Sequence, residues 1–147
     1  MNKIRNEIVS PIEERDLKDV QNMLANIFDN HTEYEKIRQY YKESEDNKNV
    51  HLYGYYIDDK LVGMIMLDIA VLPAGKKTTV WNFAVLEEHR KQGIATKLMN
   101  KIEEVVKAEK DIKKIWLFSG IQRKPAHELY RKLGYEEDGY KAFYKII

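Results

Sequence analysis

Hydrophobic and polar positions along these 147 residues alternate with two different periods. From Ile4 to Ile12 apolar residues fall at strand-like intervals and end beside Pro11, which predicts a short first strand. Leu17, Val20, Leu24 and Ile27 then recur at helical spacing, with Asp16 placed to cap the helix they line. Thr32-Glu33-Tyr34-Glu35 has the form of a capping box, in which threonine accepts from a free backbone N–H and glutamate reaches back three residues. The helix it opens carries Tyr34, Ile37 and Tyr41 on one face, and Asn47 to Asn49 break the pattern.

The period then shortens to two. Val50 to Ile57 and Leu61 to Val71 read as strands joined by the turn Asp58-Asp59-Lys60. The second run is apolar on both faces, as a strand inside a covered sheet must be. Pro73-Ala74-Gly75 forms a loop before another apolar strand, Thr78 to Leu86. A helix is predicted from Ile94 to Glu109, with Ile94, Leu98, Ile102 and Val105 inward. Ile115 to Phe118 reads as a short strand. Pro125 suits the first turn of a last helix faced by Ala126, Leu129, Tyr130 and Leu133, and Gly134 is its left-handed terminator. Tyr140 to Ile147 reads as a final strand. The order β-α-α-β-β-β-α-β-α-β puts antiparallel hairpins first and a β-α-β crossover second. The expected fold is α/β, a central mixed sheet with helices on both faces, in one domain spanning residues 1–147.

Composition narrows the function classes. Hydrophobic residues are 44% of the chain, enough for a substantial core. The formal net charge of +1 excludes a polybasic nucleic-acid binder. With no cysteine there is no disulfide framework, Cys-ligated zinc or thiol nucleophile. His31, His51, His89 and His127 form no metal-ligand spacing, so no metal is expected. Met1 to Asp16 lacks an apolar leader region, and Leu61 to Leu72 is too short to span a bilayer. A cytoplasmic protein without membrane or nucleic-acid partners is the expectation. The small net charge is an average, however. Residues 1–75 carry nine cations against fourteen acids, and residues 76–147 carry sixteen against ten.

The segment with the clearest chemistry is Val85-Leu86-Glu87-Glu88-His89-Arg90-Lys91-Gln92-Gly93-Ile94-Ala95-Thr96. A buried strand runs into a loop with two cations and one glycine, then directly into an amphipathic helix. Free N–H groups and the positive dipole end at that helix start suit an anion, and a diphosphate is the natural guest. Gly93 lets backbone approach a ligand, and Ala95 leaves room. Neither a P-loop nor a dinucleotide glycine fingerprint is present.

The pattern Arg90-x-x-Gly93-x-Ala95 resembles the Q/R-x-x-G-x-G/A acyl-CoA signature of the GNAT N-acetyltransferase superfamily. Trp81-Asn82-Phe83-Ala84-Val85 stands where that family has its central acyl-CoA-binding strand. Ala126-His127-Glu128-Leu129-Tyr130-Arg131-Lys132-Leu133-Gly134-Tyr135 is similar to its A-x-x-L-Y-x-x-x-G-F/Y signature. The resemblance runs from about Ile8 to Ile147. It implies a GNAT-like fold in which the strands matching Thr78–Leu86 and Lys114–Ser119 splay apart, with pantetheine added to the exposed edge of the first. It implies acetyl-CoA as co-substrate, held by backbone groups of Phe83, Ala84 and Val85. The diphosphate would lie on the N–H groups of Lys91, Gln92, Gly93, Ile94, Ala95 and Thr96, with Arg90 adding charge or facing solvent.

The implied reaction is direct acetyl transfer to a primary amine, with Tyr130 as general acid toward the leaving thiolate. A phenol's ordinary pKa of about 10 lies near that of a thiol. His127, one turn before Tyr130, binds the phosphoadenosine end, orients Tyr130, or sits half-buried. Two departures from the family bear on this reading. Asn82 is the only polar side chain of its strand beyond the initial threonines, so no glutamate base stands there; any base lies elsewhere, with Asp68 or a water chain as candidates and none assigned. Arg123 replaces a common asparagine. The first two helices hold Asp29, Glu33, Glu35, Glu43, Glu45 and Asp46 with Tyr34, Tyr40 and Tyr41, which favours a cationic small-molecule amine as acceptor. The alternative is a non-catalytic acyl-CoA-binding regulatory module on the same fold. A homodimer is compatible with the sequence.

Overall fold

A computed structural model describes residues 4–147; residues 1–3, the start of the stretch read for a leader, lie outside it. The elements in chain order are β1 (Glu7–Pro11), α1 (Leu17–Phe28), α2 (Tyr34–Glu45), β2 (Val50–Ile57), β3 (Lys60–Leu72), β4 (Gly75–Val85), α3 (Ile94–Ala108), β5 (Ile115–Leu117) and α4 (Lys124–Lys132). The five strands lie side by side in sequence order. β1 to β4 are antiparallel neighbours, and β4 pairs with β5 in parallel, as the crossover through α3 requires.

Helices cover both faces. On one, Leu17, Val20 and Met23 of α1 and Ile37 of α2 pack on Leu61, Met64 and Ala84. On the other, Ile94, Leu98, Met99, Ile102 and Val106 of α3 and Tyr130 of α4 pack on Val62, Ile65, Leu67, Val80, Phe83 and Val85. A fully buried leucine such as Leu98 contributes about 1.5–3 kcal/mol by leaving water. Among the described residues, no helix is long and apolar enough to cross a membrane.

Two expected caps form differently. Thr32 donates its hydroxyl to Asn30 Oδ1 at 2.6 Å, and α2 starts at Tyr34 with no side-chain cap. Asp16 stands at the N-cap of α1, but its carboxylate accepts instead from the Glu13 N–H at 2.9 Å and the Tyr56 hydroxyl at 2.7 Å. A buried aspartate takes the partners nearest its oxygens, and here these come from the preceding turn and from β2.

The expected last strand does not form a ladder. Tyr140 packs on Trp116 at 5.5 Å, while Phe143, Tyr144, Ile146 and Ile147 are exposed. The Tyr140 N–H donates to Asp138 Oδ1 at 3.0 Å, closing an Asx turn with a donor that a strand would need. Strand alternation in a sequence sets which side chains share a face; it does not supply the neighbour's free backbone groups.

Candidate active site

The β3–β4 register slips once. Met64 faces Ala84 and Met66 faces Trp81, so one residue of β3 spans two of β4. The extra residue is a β-bulge, and Asn82 inside it has φ +49°, a left-handed conformation that asparagine tolerates better than most side chains. The pairing of β4 with β5 covers only Thr78, Thr79 and Val80, opposite Ile115, Trp116 and Leu117. The edge of β4 from Trp81 to Val85 therefore has no β5 partner, and the two strands form a fork.

On the α3 side of the fork Phe83 stacks on Tyr130, with centroids 6.1 Å apart. Tyr130 is held there by the end of its helix. Gly134, at φ +91°, donates its N–H to the Arg131 carbonyl, and Tyr135 donates to the Tyr130 carbonyl at 2.9 Å. That pair of bonds is a Schellman stop, which the sequence placed at Gly134. Burial pushes the Tyr130 phenol above its ordinary value, while the Arg123 charge and the Ser119 hydroxyl pull it the other way. His127 Nε2 lies 3.1 Å from Ser119 Oγ, and its ring is 6.4 Å from that of Tyr130. Ser119 thus pairs with His127 beside Tyr130, a placement with no signature in the sequence because the loop after β5 has no helical or strand period. Ser119, His127 and Tyr130 form one end of an open groove of ≈ 1100 Å³ that continues along β5.

The loop from β4 to α3 reaches the same end of the sheet. Lys91 and Gly93 both have positive φ, +60° and +80°, and α3 begins on Gly93 with no side-chain cap. The first N–H groups of α3 are therefore open to an anion, where the helix dipole is positive. A Cβ on Gly93 would meet nothing within 4 Å, so the space before the helix is clear. Arg90 is placed differently from a freely extended phosphate ligand. Its Nε donates to the Val85 carbonyl at 3.0 Å, tying the loop back to the end of β4.

The acidic first helices are less concentrated than their sequence suggests. Asp29 pairs with His31 at 2.7 Å and Glu35 with Arg38 at 3.7 Å, all at the surface. Tyr34 and Tyr41 turn inward against the core, and Tyr41 donates to the Ile12 carbonyl. Arg123, at the N-cap of α4, lies over the Phe28 ring at 5.3 Å and so connects α4 to the end of α1 across the fork. Phe28 was not among the residues singled out from sequence, since its position reads only as the end of an amphipathic helix. Among the described residues no group of His, Asp or Glu is arranged to hold a metal ion.

These features can be set beside known proteins. An N-alpha-acetyltransferase of Sulfurisphaera tokodaii is 33% identical over a stretch covering 55% of this chain and 53% of that protein. The chain thus spans about half the length of the curated relatives it matches. Among solved structures, an aminoglycoside N-acetyltransferase in complex with CoA superposes with a TM-score of 0.84 at 12% identity, over 99% of this chain and 98% of that one. A transcriptional regulator from Bacillus halodurans C-125 superposes with a TM-score of 0.81 at 24% identity, over 95% and 100% of the two chains. At such identities the likeness is one of fold. The profile of the Acetyltransferase (GNAT) family matches residues 17–135, a span that contains the bulged strand, the uncapped helix and the Schellman-stopped tyrosine, and the chain belongs to that family.

Proposed function

We propose that the protein is an acetyl-CoA-dependent N-acetyltransferase acting on a primary amine, with a cationic small molecule as acceptor. The observation that carries this is the fork. A β4 edge freed by the Asn82 bulge leads directly to an uncapped, positively poled helix start, and a buried phenol stands beside it.

In this reading backbone groups of Phe83, Ala84 and Val85 pair with the amides of the pantetheine arm, as an added strand would. The N–H groups from Lys91 to Thr96 receive the diphosphate, and Lys91 contributes charge. Arg90 shapes the loop through Val85 rather than acting as a free cation. The neutral amine nitrogen attacks the thioester carbonyl, the carbon–sulfur bond breaks, the departing thiolate takes a proton from the Tyr130 hydroxyl, and the proton released by the acylated nitrogen passes through water to restore that hydroxyl. A phenol whose pKa is raised by burial stays protonated at neutral pH, which is the state an acid requires. Ser119 and His127 orient that hydroxyl and connect it to the groove.

The test is steady-state release of CoA from acetyl-CoA across a panel of amines, with acetyl-CoA binding measured in parallel. Cationic amines are expected to be the best acceptors. Because the curated relatives are N-alpha-acetyltransferases, peptide α-amines belong in the panel. Tight acetyl-CoA binding without turnover of any amine would replace this reading with a non-catalytic acyl-CoA-binding module.

A further inference from the structure

The half of the sheet that α1 and α2 leave open carries groups that acetyl transfer at the fork does not use. Met66 lies opposite Trp81 and Asp68 opposite Thr79. Strand side chains repeat on a face every second residue, so Met66 and Asp68 share the face of Met64, on which α1 packs. Trp81 stacks on Phe118 across the start of the fork, with centroids 5.6 Å apart and planes 20° from parallel. The two rings are 43% and 53% exposed, an aromatic ledge open to solvent. Asp68 is a diagonal neighbour of Trp81, a relationship that sets side chains about 7–8 Å apart.

Asp68 is half-buried and has no cationic partner among the described residues. The nearby cations are held on rings instead. Lys77 and Lys114 lie over Trp116 at 4.8 and 5.6 Å, and Arg123 lies over Phe28. The acidic end of α2, Glu45 and Asp46, leads to Asn49, whose carbonyl accepts from the Ile69 N–H at 2.9 Å beside the same row. An unpaired carboxylate next to exposed aromatic faces complements an ammonium group on an aliphatic stem.

We infer that the Trp81–Phe118 stack and Asp68 form the acceptor's seat, the rings taking an aliphatic chain and Asp68 a second ammonium group. The acceptor class is then an aliphatic amine with a second positive charge several ångströms from the reacting nitrogen. The inference rests on the proposed transfer at the fork, since Trp81 is the first β4 residue beyond its pairing with β5.

The experiment uses Trp116→Phe protein, in which Trp81 is the sole tryptophan, and follows its fluorescence during titration with 1,6-diaminohexane or hexylamine. The diamine should bind at least about tenfold more tightly, a difference near 1.4 kcal/mol. Asp68→Asn should abolish that preference without changing acetyl-CoA affinity, and Asp68→Glu should restore part of it. In turnover, Asp68→Asn should raise the KM for the diamine about tenfold and leave the hexylamine KM unchanged, whereas a fall in kcat with both amines and no change in either KM would make Asp68 the base and overturn the seat. Equal binding of the two amines, or a preference that survives in Asp68→Asn, overturns the seat. A preference that Asp68→Asn removes, in a protein that releases no CoA with either amine, upholds the seat and rejects the transferase reading.

Discussion

Phe83 and Tyr130 stack with their planes 22° from parallel, which couples the bulged strand to the helix that closes the groove. Phe83 reaches this position because the extra residue at Asn82 resets the alternation of β4. Tyr130 reaches it because the Schellman stop ends α4 three residues later. The proposed acid and the proposed pantetheine strand are thus positioned against each other before any ligand enters.

Tyr130→Phe keeps the ring and removes the proton. Turnover should fall by about 10²- to 10⁴-fold, the usual range for losing a positioned acid. Acetyl-CoA affinity, measured by calorimetry, should change little. In the wild type the acid must stay protonated, and burial raises its pKa above the ordinary value of about 10, so kcat should show no loss attributable to this group between neutrality and about pH 9. A variant with wild-type turnover would remove Tyr130 from the mechanism.

Gly93→Ala tests the loop before α3. Nothing crowds the added methyl, so the cost is that of holding alanine at φ +80°, about 1–2 kcal/mol. Urea unfolding should show that loss, and acetyl-CoA affinity should drop because the methyl enters the space before the helix. Loss of stability with unchanged acetyl-CoA affinity would move the diphosphate elsewhere.

Asn82 tests the bulge. Asn82→Gly should fold with similar or slightly greater ease, since glycine adopts a positive φ freely. Asn82→Val should lose about 1–3 kcal/mol, because a β-branched residue in that conformation is strained. If the bulge makes the fork, the KM for acetyl-CoA should rise in the valine variant and stay constant in the glycine one.

Tyr56 donates to the buried carboxylate of Asp16, and its own burial, followed by that bond and the charge of Asp16, holds its pKa well above the usual phenol value. Tyr56→Phe should cost about 1–3 kcal/mol by leaving a buried acceptor short of a donor. The folded state binds this proton more tightly than the unfolded chain. Its contribution is therefore complete below about pH 10 and lost as pH rises toward the folded value. Denaturation above pH 10 should be steeper in the wild type than in Tyr56→Phe, read from urea midpoints as pH is raised.

Local patterns were legible in the sequence where one chemical requirement acts over a few residues. The apolar faces of α1 and α3, the glycine stop after Lys132 and the strand-to-helix turn at Gly93 follow from period or turn chemistry, whereas Tyr130 stands out only through the resemblance of its motif. The caps at Asp16 and Thr32 were misjudged because a carboxylate or hydroxyl bonds to the nearest suitable group, and tertiary packing brings that group near. Which acids of the first helices are paired is invisible in composition, because Asp29 meets His31 and Glu35 meets Arg38 only in the folded chain.

By itself, then, the sequence determined the elements from β1 to α4, their order, the mixed sheet and the glycine that opens α3, since each depends on neighbours a few residues away. Only the tertiary structure decided the rest. The β3–β4 register turned Asn82 from a lone polar strand residue into a bulge. The short β4–β5 pairing opened the fork and brought Trp81 to Phe118. Ser119 met His127, Arg123 settled on Phe28, and the tail failed to become a strand. These outcomes rest on contacts between residues distant in the chain, whose geometry is set by packing and backbone pairing rather than by any local period.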